Sequence, residues 1–212
     1  TISASASARK GTYSLNVKQL ASAQQKGFSD LTDEDIKNAT GTMTITLNGE
    51  SLDIEMDKLE SLSDFAGAVN KAEFPSANDP LVSASAQNGV TASLMRVDGK
   101  TQLMLSSDQS GEKYDIQIDT SGMSNVSANF ANASIITKGK DAKFTLGDSA
   151  KEYSSSSNTL DELVDGVSIT LTGITEANKP LVISVDTDAT GTQEQIQAFI
   201  DAYNTIKTTI SG

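Results

Sequence analysis

The sequence contains no cysteine and no histidine. These absences exclude disulfides, nucleophilic sites built on Cys–His or Ser–His–Asp groups, and zinc sites with the usual ligands. Tryptophan is also absent, and aromatic residues make up only 5% of the 212 residues, whereas compact enzyme pockets are usually richer in them. The sequence therefore predicts a protein that is not an enzyme, with no catalytic residue, cofactor or metal site.

Positive charge is scarce as well, since 16 lysine and arginine residues face 28 aspartate and glutamate residues and the net charge is −12. Duplex nucleic acid and anionic membranes are both bound through Lys and Arg, so neither is an expected partner. No apolar run approaches the ~20 residues that span a bilayer. Residues 1–8 lack the basic start and apolar stretch of a signal peptide, and the first residue is not methionine. We therefore expect a processed protein or an excised fragment.

Hydroxyl side chains are what the sequence has in abundance, with 28 serines and 22 threonines. Such residues suit strands and turns but bury little apolar surface. The composition is typical of thin sheets with polar outer faces. It favours an extracellular or surface structural protein, with an ordinary acidic cytosolic domain as the alternative.

The C-terminus carries apolar residues at the spacing of a heptad repeat. The seam consists of Ile196, Phe199, Tyr203, Ile206 and Ile210, which are separated by 3, 4, 3 and 4 residues. Thr192 followed by Gln195 is typical of a capping box at the start of a helix. This helix is either half of a coiled coil whose partner lies outside the chain or a terminal helix that packs on its own sheet. Because no second helix with a matching seam is predicted, the coiled coil is favoured.

An internal repeat organises the middle of the chain. Residues 43–56 predict a hairpin around Asn48-Gly49, followed by a short helix over 62–69. Residues 142–146 predict a strand and turn, and residues 160–167 repeat the helix pattern.

Each copy of the repeat precedes further strands. After the first copy, these are 90–97 and 101–105, joined by the turn Asp98-Gly99, and then 114–118. After the second copy, they are 167–171 and 181–185. Each unit is therefore predicted to be a small antiparallel sheet with one helix, which gives an α+β, β-rich fold.

The N-terminal strand, residues 12–18, alternates apolar and polar residues and needs a sheet to join. We expect it to pair with the second unit, with the first unit inserted between. The predicted organisation is a discontinuous domain (1–38 and 131–189), an inserted domain (39–130) and the start of a coiled-coil helix (190–212). Linkers are expected near 37–42 and 120–141.

Two acidic segments resemble calcium loops only superficially. Residues 30–37 carry four carboxylates but lack the alternate spacing and central glycine of such loops, so a connector or single helical turn is the better interpretation. Residues 186–191 begin like an EF-hand, but the twelfth position would be Gln197 instead of glutamate. Lys138, Lys140 and Lys143 form a basic cluster that we interpret as surface charge.

Several segments together resemble a known family. Residues 11–21 resemble the N-terminal strand of the bacterial flagellar filament cap proteins, also called hook-associated protein 2. Residues 44–70, 90–92 and 103–107 resemble the motif shared by flagellins and hook-associated proteins, and Gln195 to Asn204 are similar to the start of the C-terminal helix of the cap family.

The resemblance implies a structural subunit, with neither enzymatic activity nor a cofactor, that self-assembles as a ring at the filament tip. There it would promote the folding and polymerisation of flagellin. Such proteins are extracellular and are exported through the flagellar channel without a cleaved signal peptide. The discontinuous and inserted domains would be the inner and outer head domains, and the C-terminal helix would begin a leg.

Two other functions stay open at this point. The chain could be an outer domain of another hook-associated protein or of a flagellin. It could also be an adhesin module that binds host surface glycans, although its tyrosines, which sugar sites would use, are few and scattered: Tyr13, Tyr114, Tyr153 and Tyr203.

Overall fold

A computed structural model describes residues 1–5, 7–73, 89–130, 132–176, 179–186 and 197–202. Two helices in this part of the chain are α1 (Asp33–Asn38) and α2 (Leu62–Lys71), and residues 197–202 are also helical. The strands are β1 (Ile2–Ala4), β2 (Gly11–Gln19), β3 (Ala23–Phe28), β4 (Thr40–Leu47), β5 (Glu50–Glu55), β6 (Val90–Val97), β7 (Lys100–Ser110), β8 (Gln117–Asp119), β9 (Met123–Ser124), β10 (Ser134–Thr137), β11 (Ala142–Leu146), β12 (Glu152–Ser155), β13 (Thr159–Val164), β14 (Val167–Thr170) and β15 (Leu181–Val185).

These strands form four antiparallel sheets. Sheet I has the order β10-β3-β7-β6, and sheet II has the order β5-β4-β8, with β9 also paired to β4. Sheet III has the order β12-β11-β2-β15, and sheet IV has the order β1-β14-β13. The β-rich antiparallel fold predicted from the sequence is confirmed.

The first hydrophobic cluster lies in sheets I and II and under α2. Its buried residues run in sequence from Phe28 to Phe130. On β4 every second residue from Met43 to Leu47 is buried, as expected of a strand with one face on the core. Helix α2 begins at the N-cap Ser61 and buries its predicted face, with Leu62, Phe65, Ala66 and Val69 in the cluster. Burial of each large apolar side chain contributes ~2 kcal/mol.

The second cluster lies in sheets III and IV. It combines β2 residues such as Leu15 and Val17 with residues of the last third of the chain, such as Phe144, Ile169 and Ile183. Strand β2 lies between β11 and β15. The prediction that the N-terminal strand pairs with the second unit is therefore confirmed.

The predicted hairpin turns of the first unit are confirmed. Asn48 and Gly49 have φ values of 48° and 84°, and Asp98 and Gly99 have values of 50° and 77°. Two successive left-handed residues match the right-handed twist of the strands that they join. They connect β4 to β5 and β6 to β7.

The helix predicted over 160–167 is wrong. The chain there forms β13, a turn at Asp165 and Gly166, and the start of β14. Leu160 pairs with Ile169 and Val164 pairs with Val167, so β13 has extra residues that bulge between the two pairs. The second unit therefore does not repeat the helix of the first.

Three further segments differ from the predictions. Residues 112–114 form a 3₁₀ turn, and the strand predicted over 114–118 is the shorter β8. Residues 120–141, expected as a linker, contain β9 and β10, and β4 already begins inside the linker expected near 37–42.

The predicted domain boundaries stay a prediction. Because β3 pairs with β7, residues 23–28 are closer to the inserted unit than to the discontinuous one.

Candidate assembly surfaces

The C-terminal helical segment, residues 197–202, exposes its apolar side chains. Phe199 is 73% exposed and Ile200 is 43% exposed, and neither belongs to a hydrophobic cluster. Gln197 donates a hydrogen bond of 2.9 Å to Asp201, an i,i+4 contact that supports the helix. A helix with an apolar face in water is an expected binding surface for another element.

Most of the predicted seam cannot be compared with the structure. Phe199 lies on the described helical segment, whereas Ile196, Tyr203, Ile206 and Ile210 lie outside the described residues. The capping box of Thr192 and Gln195 also lies outside them. The coiled-coil seam stays a prediction, and Phe199 is the seam residue whose exposure can be stated.

The outer face of sheet II is covered with hydroxyls and carboxylates. Thr44 donates to Asp53 at 2.8 Å and Thr42 donates to Glu55 at 3.0 Å across the β4–β5 pair. Asp119 lies beside Thr44 on β8, and hydrogen bonds from the backbone and side chain of Ser121 lower its pKa. The polar outer face expected from the abundance of threonine is therefore present on this sheet.

Sheet I has apolar side chains at both of its edges. On edge strand β6, Leu94, Met95 and Val97 are between 38% and 42% exposed. On edge strand β10, Ile135 and Ile136 are 58% and 56% exposed. Exposed apolar groups on sheet edges are typical of surfaces that contact other proteins. Sequence reasoning missed β10, and the exposure of β6 could not be inferred from its alternating pattern.

An open groove of about 580 Å³ lies where the loop before α1 meets the start of α2. Its polar lining includes Asp30, Thr32, Ser61 and Lys100.

Among the residues that the structure describes, no three acidic side chains are grouped so that they could hold a metal ion. In the same residues, no helix has the length and apolar character needed to cross a bilayer.

The two acidic segments have different outcomes. Residues 30–37 contain α1, which begins after Thr32 with a complete capping box formed with Asp35. The interpretation of this segment as a short helical turn is confirmed. In the other segment, Asp186 is described, and residues 187–191 lie outside the described residues.

Comparisons with known proteins all give flagellar hook-associated protein 2. The family model described as "Flagellar hook-associated protein 2 C-terminus" matches residues 139–212. The lateral flagellar hook-associated protein 2 of Vibrio parahaemolyticus is 31% identical over 99% of this chain and 48% of its own length. The A-type flagellar hook-associated protein 2 of Pseudomonas aeruginosa is 27% identical over 96% of this chain and 44% of its own length.

Solved structures give the same result. The crystal structure of FliD (HAP2) from Pseudomonas aeruginosa covers the whole chain with a TM-score of 0.72 and 26% identity, over 94% of that structure. The D1-D2-D3 domains of the flagellar cap protein FliD from Escherichia coli also cover the whole chain with a TM-score of 0.72, over 70% of that structure. At 22% identity, the second comparison shows the shared fold alone.

These similarities support a fragment of a flagellar hook-associated protein 2, the kind of protein whose solved structures include the FliD flagellar cap proteins. The chain spans about half the length of the curated relatives it matches.

Proposed function

We propose that this chain forms the head of a flagellar filament cap subunit and carries the first turns of one leg helix. The full-length protein self-assembles at the filament tip and promotes the folding and polymerisation of flagellin. Its partners are further copies of itself and flagellin. It acts outside the cell and is exported without a cleaved signal peptide.

One observation carries this proposal. The similarity to hook-associated protein 2 extends over 99% of the chain in sequence and over its whole length in structure. A match of this extent includes the residues of both hydrophobic clusters, in the same order along the chain. A shared motif alone would have covered a small part of the chain.

The geometry supports a role in assembly. Phe199 is largely exposed on the C-terminal helical segment, so a partner helix can bury it. The exposed apolar side chains on β6 and β10 offer further contacts on the head. Each such contact is weak, but closure of a ring forms many of them at once.

The proposal is tested by native mass spectrometry of the full-length protein beside this chain, together with a flagellin polymerisation assay. We expect closed oligomers from the full-length protein and faster growth of filament seeds when it is present. We expect neither effect from this chain alone, because the legs that hold the ring are largely outside it. A full-length protein that stays monomeric and leaves flagellin polymerisation unchanged would contradict the proposal.

A further inference from the structure

The two hydrophobic clusters are joined at one place, which we call the joint. In the described residues the chain leaves the second cluster after Ala21 and returns to it at Ala142. Ser22 and Lys140 lie side by side on these two passages and exchange backbone hydrogen bonds of 2.9 and 3.0 Å. The covalent connection is therefore a narrow pair of extended strands.

Side chains of the second unit hold this connector. The Asn158 side chain accepts a hydrogen bond from the Ala21 N–H at 2.8 Å and donates one to the Ala21 carbonyl at 2.9 Å. The Gln19 side chain donates to the Asp141 carbonyl at 2.7 Å. These bonds fix the connector to the second unit, but a two-stranded connector still bends between two packed units.

A third contact comes from the end of β7, which belongs to the first unit. The Ser110 hydroxyl donates to the Ser156 carbonyl at 2.7 Å. The Glu112 N–H donates to the Asp141 carboxylate at 3.0 Å. The Gly111 N–H donates to the Ser22 carbonyl at 3.2 Å. Residues 110–112 thus reach from the first unit to both the connector and the second unit.

Gly111 makes this approach possible. Its φ is 111°, in the left-handed region that favours glycine. A Cβ atom at this position would lie 2.5 Å from the Ser156 Cβ and 2.9 Å from the Ser156 Cα. Gly139 is equally close-packed, because a Cβ there would lie 2.2 Å from a carboxylate oxygen of Asp115 and 3.0 Å from the Gly111 carbonyl. A side chain at Gly111 would therefore push the first unit away from Ser156 of the second unit, and one at Gly139 would push the connector away from Asp115 and Gly111.

We propose that residues 110–112 are a positioning lock, which holds the first unit in one orientation relative to the second and prevents the connector from acting as a hinge. With the connector alone, the first unit could rotate about residues 22 and 140. The Ser110 bond to Ser156 and the packing of Gly111 on Ser156 join the first unit to a residue outside the connector, and they oppose this rotation. The lock is a property of the packing between the two units and does not depend on the proposed function.

The absence of cysteine allows a direct test in this chain. Spin labels are attached to Lys100→Cys on the first unit and Ala150→Cys on the second, both at exposed positions. Double electron–electron resonance then measures the distribution of distances between the units. We expect one narrow distribution in the parent, and one at least about twofold broader in Gly111→Ala, because the lock is displaced.

Two controls and a second variant make the test decisive. Gly49→Ala also places an alanine at a positive φ, 84°, but in open space, and we expect it to leave the distribution unchanged. Ser110→Ala/Asp141→Ala removes two bonds of the lock without strain, and it carries the test alone if Gly111→Ala fails to fold by circular dichroism. Ser121→Ala/Asp119→Ala removes two hydrogen-bonding side chains from a turn away from the joint, and we expect it to leave the width unchanged. The proposal would be overturned if the parent already gave a broad distribution of distances between the labels. It would also be overturned if Gly111→Ala and Ser110→Ala/Asp141→Ala folded and gave a distribution as narrow as that of the parent.

Discussion

The carboxylate of Asp35 ties together two segments that are distant in sequence. It accepts hydrogen bonds from the Thr32 N–H at 2.9 Å and from the Thr32 hydroxyl at 2.7 Å, which complete the cap of α1. It also accepts one from the Asn129 side chain at 3.0 Å. Partial burial raises the pKa of Asp35, but the hydrogen bonds from Asn129 and Thr32 outweigh this effect and lower the pKa to about 2.

The lowered pKa makes stability depend on pH. A carboxyl group with a depressed pKa stabilises the fold above its unfolded value of ~4, and this contribution is lost as the pH falls towards 2. We expect Asp35→Asn to lower the free energy of unfolding at pH 7 by ~0.5–1 kcal/mol, a small loss because the group is partly solvated. We expect the difference from the parent to disappear near pH 2. Urea unfolding at pH 7, 4 and 2.5 checks both statements.

The matched control for this prediction is Glu34→Gln, which removes the same charge from the same turn but lies outside the Asp35 network. We expect it to change the free energy of unfolding less than Asp35→Asn does. The prediction fails if Asp35→Asn and the parent lose stability in parallel between pH 4 and pH 2.5.

Gly41 on β4 and Gly49 in the turn after it distinguish two costs of adding a side chain, which are backbone strain at a positive φ and a clash with a neighbouring strand. Their φ values are nearly equal, 86° and 84°, but a Cβ at Gly41 would lie 2.4 Å from the Gly122 carbonyl, whereas Gly49 faces open space. We expect Gly49→Ala to lose ~1 kcal/mol from backbone strain. We expect Gly41→Ala to lose ~2 kcal/mol more, because β9 must move away from β4. Equal losses in urea unfolding would show that the contact with Gly122 is unimportant.

At the scale of elements, the repeat was predicted well in the first copy and wrongly in the second. Leu160 and Val164 are four residues apart, and this spacing places them on one face of a helix and equally on one face of a strand. Asp165-Gly166, a common hairpin turn, decides between the two, because Val164 and Val167 pair across it. In the first copy, Ser61 caps a true helix.

The contact between α2 and edge strand β6 depends on Asn70. Its side chain donates to the Ala92 carbonyl at 2.9 Å and accepts from the Ala92 N–H at 2.8 Å. We expect Asn70→Ala to lower the free energy of unfolding by ~2 kcal/mol, because two backbone groups lose their partners. Ser63→Ala, on the exposed side of α2, should change it by less than ~0.5 kcal/mol. Urea unfolding measures both, and similar values for the two variants would refute the expectation.

At the scale of the whole molecule, the pairing of β2 with the last third of the chain followed from a simple requirement. The backbone of β2 needs partners, and in the described residues strands from residue 142 onwards supply them. The joint could not be predicted, because its residues 22, 111, 141, 156 and 158 share no sequence pattern. They meet only after both clusters have formed.

The exposed Phe199 connects the chain to assembly. We expect Phe199→Asp to reduce oligomer formation by the full-length protein at least about tenfold, because a charge enters an apolar seam. In this chain alone, thermal unfolding should be unchanged, since Phe199 lies outside both clusters. Ile174→Asp is the matched control, because Ile174 is exposed to a similar degree, 68% against 73%, but lies in a loop of the head. Collapse of this chain on Phe199→Asp would contradict the prediction.

The sequence by itself determined the local structure where one signal acts over a few residues, namely the alternation of β4, the apolar face of α2 and the left-handed turns at Asn48-Gly49 and Asp98-Gly99. The missing cysteine and histidine also restricted the chemistry before any fold was known. Only the tertiary structure decided that 160–164 is a strand, that β10 joins β3, and that Gly111 packs on Ser156. These features depend on contacts between residues far apart in the chain, whose free energy exists only when both partners are already in place.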